Sequence, residues 1–164
     1  MLWVCSSLVA FGAALQRSSI AFGAESNGIS ITGDVEHPRT LTLADLKHEP
    51  AITQAVTLKT GKGTLSGRFT GVSLWSLLQQ AVIKNEAGRK NDVIRHTITV
   101  TGSDGYRTVL SAAELDPEFA GELALLAYAK DGEPLAKPGF ARLILPADKS
   151  AGRTISGVVS IAVQ

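Results

Sequence analysis

The clearest helical pattern in the chain lies between residues 73 and 82. Apolar residues recur there at intervals of three and four positions: Leu74, Leu77, Leu78, Ala81 and Val82. This spacing places them on one face of a helix. Ser73 precedes them and is a residue type that caps helix N-termini. The pattern therefore predicts an amphipathic helix over 74–82, with Trp75 off its apolar face.

Elsewhere the pattern is typical of strands. Short apolar runs between turn signals, or alternation of apolar and polar residues, predict strands at several places. These are Ile29–Gly33, Ala55–Leu58, Arg95–Thr101, Tyr106–Leu110, Leu123–Ala129, Leu143–Leu145 and Ile155–Val163. Short helices are predicted after Thr42 and after Ser111. Because strands and helices do not alternate regularly, we expect an α+β fold with mixed β-sheets and a few short helices.

Length and charge limit the possible classes of protein. The chain has 164 residues, 45% of them hydrophobic, which suits one domain with one core. Its 16 basic and 15 acidic residues nearly cancel. This balance gives no electrostatic argument for a nucleic-acid partner or an acidic membrane surface.

The first 23 residues have the pattern of an export signal. Residues 2–15 carry no charge and are too few for a comfortable membrane span. Small residues at Ala21 and Gly23 predict cleavage near Ala24. We therefore expect a signal peptide over 1–23, a single domain over 24–164 without a membrane span, and export to the bacterial periplasm. An uncleaved anchor is the alternative.

The sequence offers little spacing-based evidence for common catalytic sites. The three histidines, His37, His48 and His96, are far apart and predict no metal site. The only cysteine, Cys5, lies in the predicted signal. The stretch 59–64, KTGKGT, combines two glycines with two lysines. It could hold an anion through backbone N–H groups, or it could be a solvated hairpin tip, and we favour the latter.

Three stretches together resemble the molybdopterin-binding domain of the sulfite oxidase family. The first is ISITGDVEHPRTLTLADL at 29–46, the second FTGVSLWSLLQQA at 69–81, and the third LLAYAKDGEPLAKPGFARLILP at 125–146. In order, they cover nearly all of residues 29–163. The resemblance implies that family's fold and a pocket that binds molybdopterin and molybdenum.

The resemblance also implies functional positions. In that family a cysteine thiolate that follows an early strand ligates molybdenum. Here the corresponding stretch, 56–61, contains no cysteine, and Lys59 occupies the place. A protonated amine cannot ligate a metal. The implied cofactor-binding residues are Lys59, Thr60, Gly61, Arg142 and Arg153; if the protein is an enzyme, the implied catalytic residues are Tyr106 and Arg142.

Three hypotheses remain open at this point. In the first, the protein is an exported, non-catalytic module without metal that binds a small anionic or pterin-like ligand or a protein partner. In the second, it is a molybdopterin-dependent oxidoreductase that transfers oxygen atoms without a cysteine ligand, served by an electron-transfer partner. In the third, it is a structural or sensory domain. Purely structural roles are also open for the site residues: Arg142 could pair with Asp148 or Glu133, Arg153 could be solvated, and Tyr106 could cap a sheet edge.

Overall fold

The protein is built from two β-sheets that share one main core. The computed structural model describes residues 28–164. The strands are β1 (Ile29–Gly33), β2 (Arg39–Leu41), β3 (Ile52–Thr60), β4 (Gly63–Ser73), β5 (Thr97–Gly102), β6 (Arg107–Ser111), β7 (Leu125–Lys130), β8 (Glu133–Pro134), β9 (Arg142–Ile144), β10 (Ile155–Ser156) and β11 (Val158–Val163). The helices are α1 (Leu43–His48), α2 (Leu74–Ala81) and α3 (Ala112–Leu115). The predicted class, α+β with mixed sheets and few short helices, is confirmed.

Strand pairing is mixed in the first sheet and antiparallel in the second. The first sheet has the order β2-β1-β11-β5-β6, in which β1 and β11 are parallel. The second has the order β10-β9-β7-β4-β3, with β8 also paired to β7. β3 and β4 form a long hairpin with a tip at residues 61–62. The strand predicted at 55–58 is part of β3, which extends beyond that apolar run at both ends.

Helix α2 closes the main core. Leu74, Leu77, Leu78 and Ala81 are fully buried, and the Ser73 hydroxyl accepts a hydrogen bond from the Ser76 amide at the helix start. Burying three leucines in this way stabilises the fold by several kcal/mol, at about 1.5–3 kcal/mol each. A smaller core lies on the second sheet. It consists of Val56, Leu58, Phe69, Leu125, Ala127 and Ile144.

The strand predicted over 155–163 is wrong, because the structure has two strands there. The alternation over 155–163 predicts a single closing strand, but the chain breaks at Gly157 into β10 of the second sheet and β11 of the first. Gly157 has φ of 61°, a left-handed value that glycine adopts readily. Its carbonyl accepts a hydrogen bond from the Ser103 amide at 2.8 Å. The end of the chain therefore links the two sheets.

The starts of several predicted strands also shift, and the strand predicted from Leu123 begins at Leu125. The predicted strand from Arg95 begins at Thr97, because residues 93–95 form a 3₁₀ turn. The strand predicted from Tyr106 begins at Arg107. The predicted signal, residues 1–23, lies outside the described residues. Within 28–164, no helix has the length and apolar character that crossing a membrane would require.

Candidate functional site

The loop 148–153 connects several of the predicted site residues. The Lys59 amide at the end of β3 donates to the Lys149 carbonyl at 3.1 Å, and Lys59 forms a bridge with Ser150. The Tyr106 hydroxyl donates to the Gly152 carbonyl at 2.7 Å. The loop therefore contacts both the β3–β4 hairpin and the turn between β5 and β6.

Glycines bring two further segments to the same end of the protein. A Cβ on Gly139 would lie 3.0 Å from the Gly157 Cα, and one on Gly157 would lie 2.8 Å from the Ser103 hydroxyl oxygen. The segment before β9, the start of β11 and the β5–β6 turn are thus in close backbone contact. Larger residues at 139 or 157 would separate them.

Arg153 is clamped by two carboxylates. Its Nε donates to Asp148 Oδ2 at 3.0 Å, a second nitrogen donates to the other Asp148 oxygen, and a third donates to Glu114 Oε1 at 2.8 Å. These hydrogen bonds raise the pKa of Arg153 above its ordinary value. The alternative of a solvated Arg153 is therefore wrong, and Asp148 pairs with Arg153 instead of Arg142. The sequence suggested Asp148 as a partner of the wrong arginine, and it gave no indication that Glu114 pairs with Arg153.

Arg142, unlike Arg153, has no carboxylate partner among the described residues. It lies on β9, between Ala127 of β7 and Ser156 of β10, and its side chain is partly buried. Its Nε is buried without a hydrogen-bond partner, and no ion pair among residues 28–164 includes Arg142. Burial lowers the pKa of its guanidinium. The structural alternative, in which Arg142 pairs with Asp148 or Glu133, is not observed among the described residues.

The hairpin tip is exposed. Lys59, Thr60 and Gly61 all face solvent, and a Cβ on Gly61 would have no atom within 4 Å. The Thr60 hydroxyl accepts a hydrogen bond from the Lys62 amide at 3.2 Å, which stabilises the turn. This arrangement matches a solvated tip. Of the three predicted residues, Lys59 is the one that forms backbone contacts with the loop 148–153.

Metal-ligating side chains do not gather near these residues. Across the described part of the chain, no group of three or more His, Cys, Asp or Glu side chains is arranged to hold a metal ion. The structure offers instead a guanidinium on β9, that of Arg142, which has no ion-pair partner among the described residues. Such a group can bind an anion by charge and by directed N–H donors.

The sequence of this chain is similar to a known protein family and to a bacterial protein. A family model described as oxidoreductase molybdopterin binding domain matches residues 18–147. A Bacillus subtilis (strain 168) protein named uncharacterized oxidoreductase YuiH is 34% identical over 109 residues, which cover 65% of this chain and 49% of that protein.

A structural relative shows the same fold. The crystal structure of the sulfane dehydrogenase SoxCD from Paracoccus pantotrophus matches with a TM-score of 0.68 and 20% sequence identity. The match covers 85% of this chain and 38% of that one. At this identity the likeness shows the fold alone. The chain spans about half of the curated relative's length and a smaller share of the SoxCD chain.

Proposed function

This chain belongs to the oxidoreductase molybdopterin-binding domain family, and we propose that it is a non-catalytic member that binds a small anion at Arg142. The family binds molybdopterin. We further propose that the protein is exported, and that the anion is a carboxylate, a sulfonate, a phosphate or the acidic group of a pterin-like molecule.

The unpaired guanidinium of Arg142 carries this proposal. A partly buried charge without a counter-ion is unfavourable in a folded protein, and natural proteins usually pair such groups. Arg142 has no such partner among the described residues, whereas Arg153 has two. A bound anion would supply the missing partner. Ser156, directly across from Arg142 in the β9–β10 pair, could add a hydroxyl donor.

The residues present do not fit a molybdenum centre of the family's usual kind. The place expected for the thiolate is taken by Lys59, an exposed lysine at the end of β3. Residues 28–164 contain no cysteine. Arg153, another of the expected cofactor contacts, already donates to Asp148 and Glu114. We therefore derive no reaction through the metal.

The proposal is tested by anion titration of the purified full-length chain. An anion that prefers the folded state raises its stability, by about 2.7 kcal/mol when its concentration is a hundred times Kd. We expect sulfate, phosphate or a simple carboxylate to raise the unfolding temperature more than chloride does at equal ionic strength. The difference should disappear in Arg142→Met, which keeps the length of the apolar stem.

A matched variant controls for net charge. Arg68 lies on β4 with an exposed side chain, so Arg68→Met removes the same charge elsewhere. It should retain the anion effect. Equal responses of the wild type and Arg142→Met, or loss of the response in both variants, would contradict the proposal.

N-terminal sequencing of the exported protein tests cleavage of the signal, and an intact Met1 would contradict cleavage.

The family match supports a second candidate, a molybdopterin-dependent oxidoreductase. In it, Tyr106 and Arg142 would orient the substrate, with an electron-transfer protein as partner. The Tyr106 hydroxyl is already bonded to Gly152, and its side chain is exposed. The molybdenum content of the purified protein separates the two candidates.

A further inference from the structure

A concavity lies between α2, residues 85–94 and the loop after α3. Its volume is about 620 Å³, a size that suits a small organic molecule. Trp75 and Gln79 of α2 form one side, Val93 lies on the second, and Phe119 lies on the third. Arg142 is not among its lining residues.

Part of the lining of this concavity is apolar or aromatic. Phe119 is 49% exposed although it is a large hydrophobic residue. Val82, 42% exposed, borders an adjoining recess of about 270 Å³ that shares Trp75 and Val93 with the larger one. The indole nitrogen of Trp75 is buried and has no hydrogen-bond partner within the described part of the chain. Aromatic faces of this kind attract rings and cations alike.

The charges of the lining favour a cation. Arg89 is its one guanidinium, and it is already bonded to Glu86 at 2.9 Å and to Asp92 at 3.5 Å. Asp116 and Glu118 also line the concavity, and neither takes part in an ion pair among residues 28–164. Three carboxylates against one guanidinium leave the lining with a formal charge of −2. An anion would therefore be repelled here.

We propose that this concavity is a second ligand site, which takes an organic cation with an aromatic or apolar body. The ring lies between Trp75 and Phe119, and the ammonium group faces Glu118 and Asp116. A protonated arylalkylamine is the simplest member of this class. The site is separate from Arg142 and prefers the opposite charge, so the two proposals can fail independently.

Intrinsic fluorescence of Trp75 tests the proposal directly. Trp3→Phe leaves Trp75 as the one tryptophan of the full chain. This protein is titrated with phenethylammonium, 2-phenylethanol and phenylacetate, which share a ring and differ in charge. We expect a saturable change in emission, tightest for the cation and weakest for phenylacetate.

Substitutions in the lining identify the groups responsible. Glu118→Gln should weaken binding of the cation about 2- to 5-fold, as for a partly solvated ion pair, and leave binding of the alcohol unchanged. Phe119→Ala should weaken both about 2- to 10-fold through loss of a ring contact. Glu122→Gln removes an exposed carboxylate outside the lining and should change neither.

Three results would overturn the assignment. They are the absence of any saturable change with phenethylammonium up to its solubility limit, equal affinities for the three compounds, and equal effects of Glu118→Gln and Glu122→Gln. Circular dichroism of each variant verifies that the fold is retained before affinities are compared.

Discussion

The clamp around Arg153 makes a quantitative prediction about stability. Arg153→Met removes a guanidinium that donates to Asp148 and Glu114. The methionine keeps the apolar stem, so the change isolates the charged end. We expect the variant to fold but to unfold at lower urea concentration, because two partly buried carboxylates lose their partner.

The magnitude follows from the exposure of the three side chains. Arg153 is 36% exposed, and Glu114 and Asp148 are 23% and 18% exposed. Exposed ion pairs contribute about 0.2–1 kcal/mol, and hydrogen bonds to shielded charges about 1.5–3 kcal/mol. An intermediate value of about 1 kcal/mol for each carboxylate gives a loss of about 2 kcal/mol. For a domain of this size that lowers the unfolding temperature by roughly 4–8 °C.

A double-mutant cycle with Glu114→Gln separates the two partners. Urea unfolding of the wild type, both single variants and the double variant should give a coupling energy of about 1 kcal/mol. Anion binding at Arg142 should persist in Arg153→Met, since Arg153 acts on the fold. A loss below about 0.5 kcal/mol, or strictly additive effects, would refute the reasoning, because surface substitutions without specific partners fall in that range.

Three further predictions concern local features. Hydrogen bonds from Thr42 lower the pKa of Asp45 in the folded protein. The ionised Asp45 therefore stabilises the fold fully above the unfolded-state pKa of 3.8, and this stabilisation is lost as pH falls through the folded-state pKa. In urea titrations at different pH, Asp45→Asn should reduce the fall in the free energy of unfolding at acid pH. Tyr106→Phe should lower the free energy of unfolding by about 0.5–1.5 kcal/mol through loss of one hydrogen bond, with anion affinity unchanged. Gly157→Ala should cost more than Gly88→Ala in the same assay, because both positions have positive φ but Gly157 alone is crowded.

Local signals explain which parts of the fold could be predicted. Helix α2 combines an apolar face with a capping serine within ten residues, so its sequence predicts the helix. Its predicted last residue, Val82, lies instead just beyond the helix end and is 42% exposed. The break at Gly157 coincides with a left-handed φ of 61° and with a hydrogen bond from Ser103, more than fifty positions away. The isolated glycine is a weak local signal of a break, and the regular alternation on both sides of it favoured one continuous strand. The predicted closing strand fails for that reason.

Arg142 and Arg153 show that the surroundings of a site residue could not be predicted from local sequence either. Motif resemblance marked both Arg142 and Arg153, but their surroundings depend on distant contacts. Glu114, which holds Arg153, is 39 positions away in sequence. Only the folded arrangement separates a clamped guanidinium from an unpaired one.

The molybdenum content of the protein tests the central claim most directly. The full-length chain would be produced in a host replete with molybdenum and able to make the cofactor, then purified and analysed for metal by mass spectrometry. Since residues 28–164 contain no cysteine that could supply a thiolate ligand, we predict molybdenum at background level. Stoichiometric molybdenum that stays with the protein through gel filtration would contradict the account.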